Sequence, residues 1–132
     1  NKNIKVYLSD PKGSCLYNYI KTKEFKSEGN SITEGIGSSR ATKNFEKALI
    51  DDAYSIDDTM ALTVLFDLIE KEGLSLGTSS GINVAGAIKL AQELGPNKTI
   101  VTILCDKSDR YQGKLFNKKF LMEKNLPYPR WL

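Results

Sequence analysis

The run Gly77-Thr78-Ser79-Ser80-Gly81 carries the strongest local chemical signal in the chain. It joins a turn to the start of a helical pattern. Unpaired backbone N–H groups at a helix N-terminus, with the positive end of the helix dipole, favour an anion. The hydroxyls of Thr78, Ser79 and Ser80 add further hydrogen-bonding groups. A plainer reading stands beside this one: Ser79 or Ser80 is simply the N-cap, and the glycines permit a tight turn. The run is not a P-loop, because GxxxxGK[ST] is absent and no lysine adjoins the glycines.

Three other segments have side chains of the right types. In Glu34-Gly35-Ile36-Gly37 the glycines remove Cβ obstruction, so the backbone could approach a ligand closely; a flexible connector would read the same way. Asp106-Lys107-Ser108-Asp109-Arg110 follows an apolar run, and ligands of parallel α/β sheets gather at the carboxyl ends of strands. The acidic residues Asp51, Asp52, Asp57 and Asp58 lack the spacing of a calcium loop. Helix capping and a solvated turn explain them better, and no metal site is expected. The chain has no histidine, which excludes Ser-His, Cys-His and His-metal arrangements within it. Cys15 and Cys105 sit beside apolar residues without a CxxC partner, so buried free thiols are expected.

These residues need elements to position them. Ile4, Val6 and Leu8 alternate with Lys5 and Tyr7, which predicts a strand, closed by a turn at Ser9-Asp10-Pro11-Lys12-Gly13. A helix is expected over Ser14 to Lys21, and then a long loop over residues 22–39, of the kind that is functional or disordered. A short strand at Ala53 to Ile56 leads to a helix capped by Asp57-Asp58. That helix carries Ala61, Leu62, Leu65, Phe66 and Ile69 at helical spacing and stops at Gly73. A second helix follows the Gly-Ser run and ends at Gly95-Pro96. Thr99 to Leu104 is β-branched and apolar, as in a strand buried on both faces of a parallel sheet. A last helix is expected from Tyr111 to Lys124. The alternation implies an α/β fold of three layers with a mostly parallel sheet.

Composition narrows the class. The 132 residues are 40% hydrophobic and 27% charged, which suits one soluble globular unit. The net charge of +3 is spread out, apart from Lys114, Lys118, Lys119 and Lys124. That cluster reads as a solvated helix face, and no nucleic-acid partner is expected. No apolar run approaches the roughly 18 residues of a membrane helix, so no membrane partner is expected either. Asn1-Lys2-Asn3-Ile4 is not a signal peptide; it has no initiator Met and enters a strand pattern directly. A fragment or processed product in the cytoplasm is the expectation.

Together the motifs resemble the cysteine synthase (O-acetylserine sulfhydrylase) family, PLP-dependent enzymes of fold type II, and are similar also to cystathionine β-synthase. The resemblance is carried by Glu34-Gly35-Ile36-Gly37, by Glu72-Gly73 leading into Gly77-Thr78-Ser79-Ser80-Gly81, and by Thr102-Ile103-Leu104-Cys105-Asp106 with Arg110-Tyr111. Their order and spacing are more specific than any one of them. The resemblance implies pyridoxal 5'-phosphate (PLP) as cofactor and β-replacement as reaction: O-acetylserine loses acetate and sulfide adds, giving cysteine. It assigns Ser79 to the pyridine nitrogen, Gly77, Thr78, Ser80 and Asp106 to the cofactor's surroundings, and Glu34 to Gly37 to the substrate entrance. A homodimer and a contact with serine acetyltransferase are the partners it implies.

The family's catalytic-lysine motif, its asparagine loop and its phosphate loop do not occur in this chain. Residues 1–132 are therefore expected to be a partial domain, the C-terminal portion of such an enzyme. The expected partner is its N-terminal portion, and no catalytic residue or activity is expected of this chain alone. The alternative is a non-catalytic homologue serving as a binding or interaction module. Lys107, Ser108 and Gly113 depart from the family's Asp-Ser-Gly-x-Arg-Tyr-x-Ser, in which the position of Ser108 is a glycine.

Overall fold

A computed structural model describes residues 3–132; Asn1 and Lys2, part of the stretch read against a signal peptide, lie outside them. Strand β1 spans Tyr7–Pro11 and pairs in parallel with β2, Asp52–Ile56, in the register Ser9 to Tyr54. The first strand thus begins later than the alternation at Ile4 predicts and runs through the expected turn. Its pairing partner decides this: Lys12 N–H still bonds the Ile56 carbonyl at 3.2 Å, so the ladder holds past Pro11. The turn chemistry acts one step on, at Gly13, which has φ 83° and donates its N–H to the Glu28 carbonyl.

Between the strands lie α1 (Leu16–Thr22) and the short α2 (Lys43–Glu46), joined by a long irregular stretch. After β2 come α3 (Asp58–Glu72) and α4 (Thr78–Leu94). Asp57 caps α3 by accepting the Met60 N–H at 2.8 Å, and Gly73 closes it in the left-handed region, both as the sequence predicts. Asp58 instead accepts the Ile32 N–H at 2.8 Å and tethers the long loop.

Successive residues of a strand face opposite sides of the sheet. Ser9 points at Gly86 of α4, while Asp10 accepts the Tyr17 N–H of α1 at 2.8 Å. The two helices therefore cover opposite faces, giving three layers with α3 packed outside α4. One core lies between sheet and α4, from Tyr54, Ile56, Ile82, Ala85 and Leu90. A second lies beyond α3, where Leu62, Leu65 and Phe66 meet Tyr111, Leu115 and Leu121.

The C-terminal region departs from expectation in two places. The single helix over Tyr111 to Lys124 is a 3-10 turn (Ser108–Tyr111) followed by α5 (Gln112–Leu115) and α6 (Lys118–Glu123). Asn117 breaks it, accepting the Phe120 N–H at 3.1 Å as a new N-cap. Thr99 to Leu104 forms no strand among the described residues, and Val101 is 84% exposed. A strand needs strand neighbours on its edges, and among the described residues none pairs with it; its contacts are with α4, where Asn83 donates to the Ile103 carbonyl, and with the core through Ile100. Cys105 beside it is exposed, against the expected burial, whereas Cys15 is buried.

Asp10 is 1% exposed, and burial pushes its carboxyl above the ordinary carboxylate range despite hydrogen bonds from Ser14 and Tyr17. The folded state then holds this proton at a pH where the unfolded chain has released it. Stability must fall as pH rises from the ordinary value through the raised one. Urea midpoints measured across acidic pH should show that decline, and Asp10→Asn should flatten it. Parallel pH curves for the two proteins would refute the assignment.

Candidate functional site

The N-terminus of α4 lies at the carboxyl end of the sheet. A Cβ on Gly81 would stand 2.8 Å from the Ala61 carbonyl, in the first turn of the helix that directly follows β2. Gly77 is the N-cap, with extended angles (φ −76°, ψ 168°) open to any residue. Neither Ser79 nor Ser80 caps the helix, so that plainer reading is corrected. Both lie in its first turn and are buried. Glycine is needed at 77 for space. A Cβ there would stand 2.2 Å from Asp106 Oδ1 and 2.6 Å from the Tyr111 ring.

The hydroxyls of the turn have separate tasks. Thr78 Oγ1 accepts the Glu34 N–H at 3.4 Å. Ser80 Oγ accepts the Cys105 N–H at 2.9 Å. Ser79, 5% exposed, has no hydrogen-bond partner for its hydroxyl among the described residues. The turn thus gathers the three motifs: the glycine loop through Thr78, the segment before Asp106 through Ser80, and a free hydroxyl between them.

Asp106 is bolted to this turn. Its carbonyl accepts the Gly77 N–H at 2.8 Å, and its Oδ2 accepts the Tyr111 hydroxyl at 2.7 Å. That hydrogen bond, with burial, raises the Tyr111 phenol above its ordinary value and keeps it a donor. Asp106 Oδ1 is buried without a partner, an arrangement that costs free energy unless something else supplies a donor. Ser108 is buried and shares a 2.6 Å hydrogen bond with the Ser75 hydroxyl. Its φ is not positive, so a side chain here costs no backbone strain. Gly113 faces open space.

The loop Glu34 to Gly37 closes one side. Gly35 and Gly37 have φ of 75° and 81°, which makes glycine the fitting residue at both. Ile36 packs on the core between sheet and α4. Gly37 helps line a cavity of about 350 Å³ with Pro11, Ser14, Thr33, Ile36 and Ser38. Lys114 donates to the Ile32 carbonyl at 3.0 Å and pairs with Glu34. Sequence reading placed Lys114 on a solvated helix face and missed this clamp. No local pattern signals a contact between such distant positions. Lys119 does behave as a surface residue, 3.9 Å from Glu123. The other acidic residues are also occupied: Asp51 with Lys5 and the Val6 N–H, Asp52 with Lys21.

A sequence profile of pyridoxal-phosphate dependent enzymes matches residues 1–106. The chain belongs to that family. It is 41% identical to cysteine synthase 1 of Neurospora crassa over 127 residues, which is 93% of this chain and 34% of that protein. Cysteine synthase of Dictyostelium discoideum is 38% identical, over 95% of this chain and 36% of its own length. The crystal structure of O-acetylserine dependent cystathionine β-synthase from Helicobacter pylori superposes with TM-score 0.75 at 32% identity, over 86% of this chain and 35% of that one. The fold is therefore that of the fold type II PLP enzymes. The chain spans about a third of the length of these relatives and corresponds to their C-terminal part. Among the described residues no helix is long and apolar enough to cross a membrane.

The clearance at Gly77 sets a test. Gly77→Ala must displace the Asp106 carboxylate or the Tyr111 ring and should cost about 1–3 kcal/mol in chemical denaturation. Gly113→Ala, on a helix with open space around it, should be neutral or stabilising by up to about 1 kcal/mol. Equal effects at the two positions would contradict the clamp.

Proposed function

We propose that residues 1–132 form a partial domain that supplies the pyridine-edge wall of a PLP site for cysteine-synthase-type β-replacement, and that it is inactive by itself. The observation that carries this reading is the Ser79 hydroxyl. Among the described residues it is the one hydroxyl of the α4 turn with no protein partner, and it is flanked by groups already committed to other segments. The residues fit the cofactor's ring edge. Gly77 keeps Asp106 close to the turn, Asp106 Oδ1 awaits a donor, and the first turn of α4 presents polar groups at the carboxyl end of the sheet.

When bound, PLP supplies the electron sink for breaking the bond at the substrate's β-carbon. The chain's own part is to orient and enclose. Ser79 offers a neutral hydroxyl to the ring nitrogen; unlike a carboxylate, it does not hold a proton there, which tempers the sink. Thr78 ties the glycine loop to the turn, and Lys114 fixes Glu34, so Glu34 to Gly37 forms a wall for the substrate entrance. The homodimer and the serine acetyltransferase contact belong, in this reading, to the complete enzyme, as does the substrate pair O-acetylserine and sulfide.

Two measurements test it. With PLP and borohydride, the chain alone should show no stoichiometric adduct that one lysine substitution removes, and it should form no cysteine from O-acetylserine and sulfide. Fused after the N-terminal part of the Neurospora crassa cysteine synthase, it should bind PLP. Ser79→Ala in that fusion should then weaken PLP by roughly tenfold, the value of one hydrogen bond of about 1.5 kcal/mol. Identical PLP affinity and absorbance spectrum for the two fusions would overturn the role of Ser79.

A further inference from the structure

The carboxyl end of β1 opens on the cavity of about 350 Å³ that Gly37 helps to line. It lies beside the start of α1, which covers the face of the sheet opposite α4 and the Gly-Ser turn. Two stretches of the long loop fold back over it. One is pinned by Gly13, whose N–H reaches the Glu28 carbonyl at 2.8 Å. The other is pinned at Ser38. Its N–H reaches Ser14 Oγ at 2.9 Å, and its carbonyl accepts the Cys15 N–H at 2.8 Å. A Cβ on Gly37 would stand 2.8 Å from the Pro11 ring, so this wall sits as close to the strand end as a side-chain-free residue allows.

Lys12 is the only charged residue among those that line the cavity. Its stem lies along Gly29, where a Cβ would stand 3.5 Å from the lysine side chain. Its ammonium has no ion pair among the described residues, and Glu28 nearby is taken by Lys26 at 2.7 Å. The carboxylates behind the walls are spent on the walls themselves. Asp58 accepts the Ser31 hydroxyl and the Ile32 N–H, and Asp10 accepts the Tyr17 N–H. Donors are left over. The backbone N–H groups of Gly29, Asn30, Ile36, Gly37 and Ser39 have no hydrogen-bond partner among the described residues, nor have the Asn30 amide and the Ser39 hydroxyl. Gly29–Asn30 and Ile36–Gly37 each change the sign of φ, which is 75° and 81° at the two glycines and not positive at their neighbours. A change of hand of this kind turns consecutive N–H groups toward one concavity, which is how a backbone nest holds an anion.

We infer that this cavity binds a small oxyanion: a carboxylate, sulfate or phosphate group. One free cation, no carboxylate on the wall and two facing sets of unspent N–H groups select negative charge. An oxyanion has several oxygens, so it accepts from both walls at once, with Lys12 and Gly29–Asn30 on one side and Ile36–Gly37 and Ser39 on the other. Water satisfies the same donors, but it brings no charge to Lys12. Bound there, the anion joins two stretches of loop that otherwise meet only through the β1–α1 turn. Glu34 to Gly37 belong to the second stretch, so occupancy steadies that loop from the side away from α4. The site stands apart from the proposed role of Ser79, because none of its groups belongs to the Gly-Ser turn.

The test is an amide NMR titration of the chain without PLP. Sodium acetate, sulfate and phosphate are compared with sodium chloride at matched ionic strength. At least one oxyanion should shift the N–H signals of Gly29, Asn30, Ile36, Gly37 and Ser39 together and saturably, at a Kd on the order of 1–10 mM. Acetate acting alone identifies a carboxylate site, and sulfate or phosphate acting alone a tetrahedral one. Lys12→Met keeps the stem and removes the charge, and it should weaken binding roughly tenfold, the value of one charge-assisted hydrogen bond. Lys12→Arg should hold the affinity within about threefold. Ser39→Ala, on the opposite wall, should weaken binding by about threefold or more. Three results would each overturn the inference: no saturable shift at these amides, equal shifts with chloride, or unchanged affinity in both Lys12→Met and Ser39→Ala. PLP binding by the fused protein is read separately, so a failed anion site does not count against Ser79, nor the reverse.

Discussion

Everything in this fold leans on α4, and α4 can be approached so closely because of three glycines. At Gly77 the neighbour is Asp106, at Gly81 it is the Ala61 carbonyl and Leu65, and at Gly86 it is Ser9, whose Oγ would stand 1.8 Å from a Cβ. These lie in different directions: the end of the apolar run, the outer helix, and the sheet. Glycine inside a helix costs about 1 kcal/mol relative to alanine. Gly81 and Gly86 accept that cost where a side chain would push a layer away. The buried first turn follows from the same constraint, since a helix pressed on several sides has its N-terminus enclosed.

Enclosure gives the Thr-Ser-Ser run its chemistry. A helix terminus in open solvent has its donors satisfied by water. Here Thr78 and Ser80 are consumed in binding the loop and the Cys105 segment, and Ser79 is held between them. A hydroxyl among committed neighbours offers one directed bond, which suits the ring nitrogen proposed for it. Helix-dipole reasoning proposes an anion at this turn, whereas the family resemblance proposes a ring nitrogen, the reading that the proposed role of Ser79 adopts.

Local elements were legible in the sequence where local chemistry decides them. Asp57 and Gly73 delimit α3 through contacts within a turn of themselves, and Cys15 is buried where apolar neighbours predicted it. The errors share a cause. The edge of β1 at Pro11 depends on β2, far along the chain. The cap of α4 is Gly77 and not a serine because Asp106 comes close. Lys114 finds Glu34 across the whole intervening fold. Asn117 is the exception: a capping side chain in mid-helix was a readable stop signal. Residues 99–104 have the composition of a central strand, and composition alone cannot state whether the neighbours that make a strand central are present.

That exposed run also bears on the side chain of Lys107, whose backbone forms an isolated antiparallel bridge with Leu76. A β-branched apolar segment without proline can stack on its own kind. Lys98 stands before this one, and Asp106 with Lys107 stands after it. Charges flanking such a segment act as gatekeepers, because in-register stacking would bring like charges together at each step. A small serine at 107 would leave the carboxyl-terminal flank with the half-buried Asp106 alone. The lysine adds a solvated charge outside the Asp106–Tyr111 hydrogen bond, so the flank gains a charge while that contact stays in place.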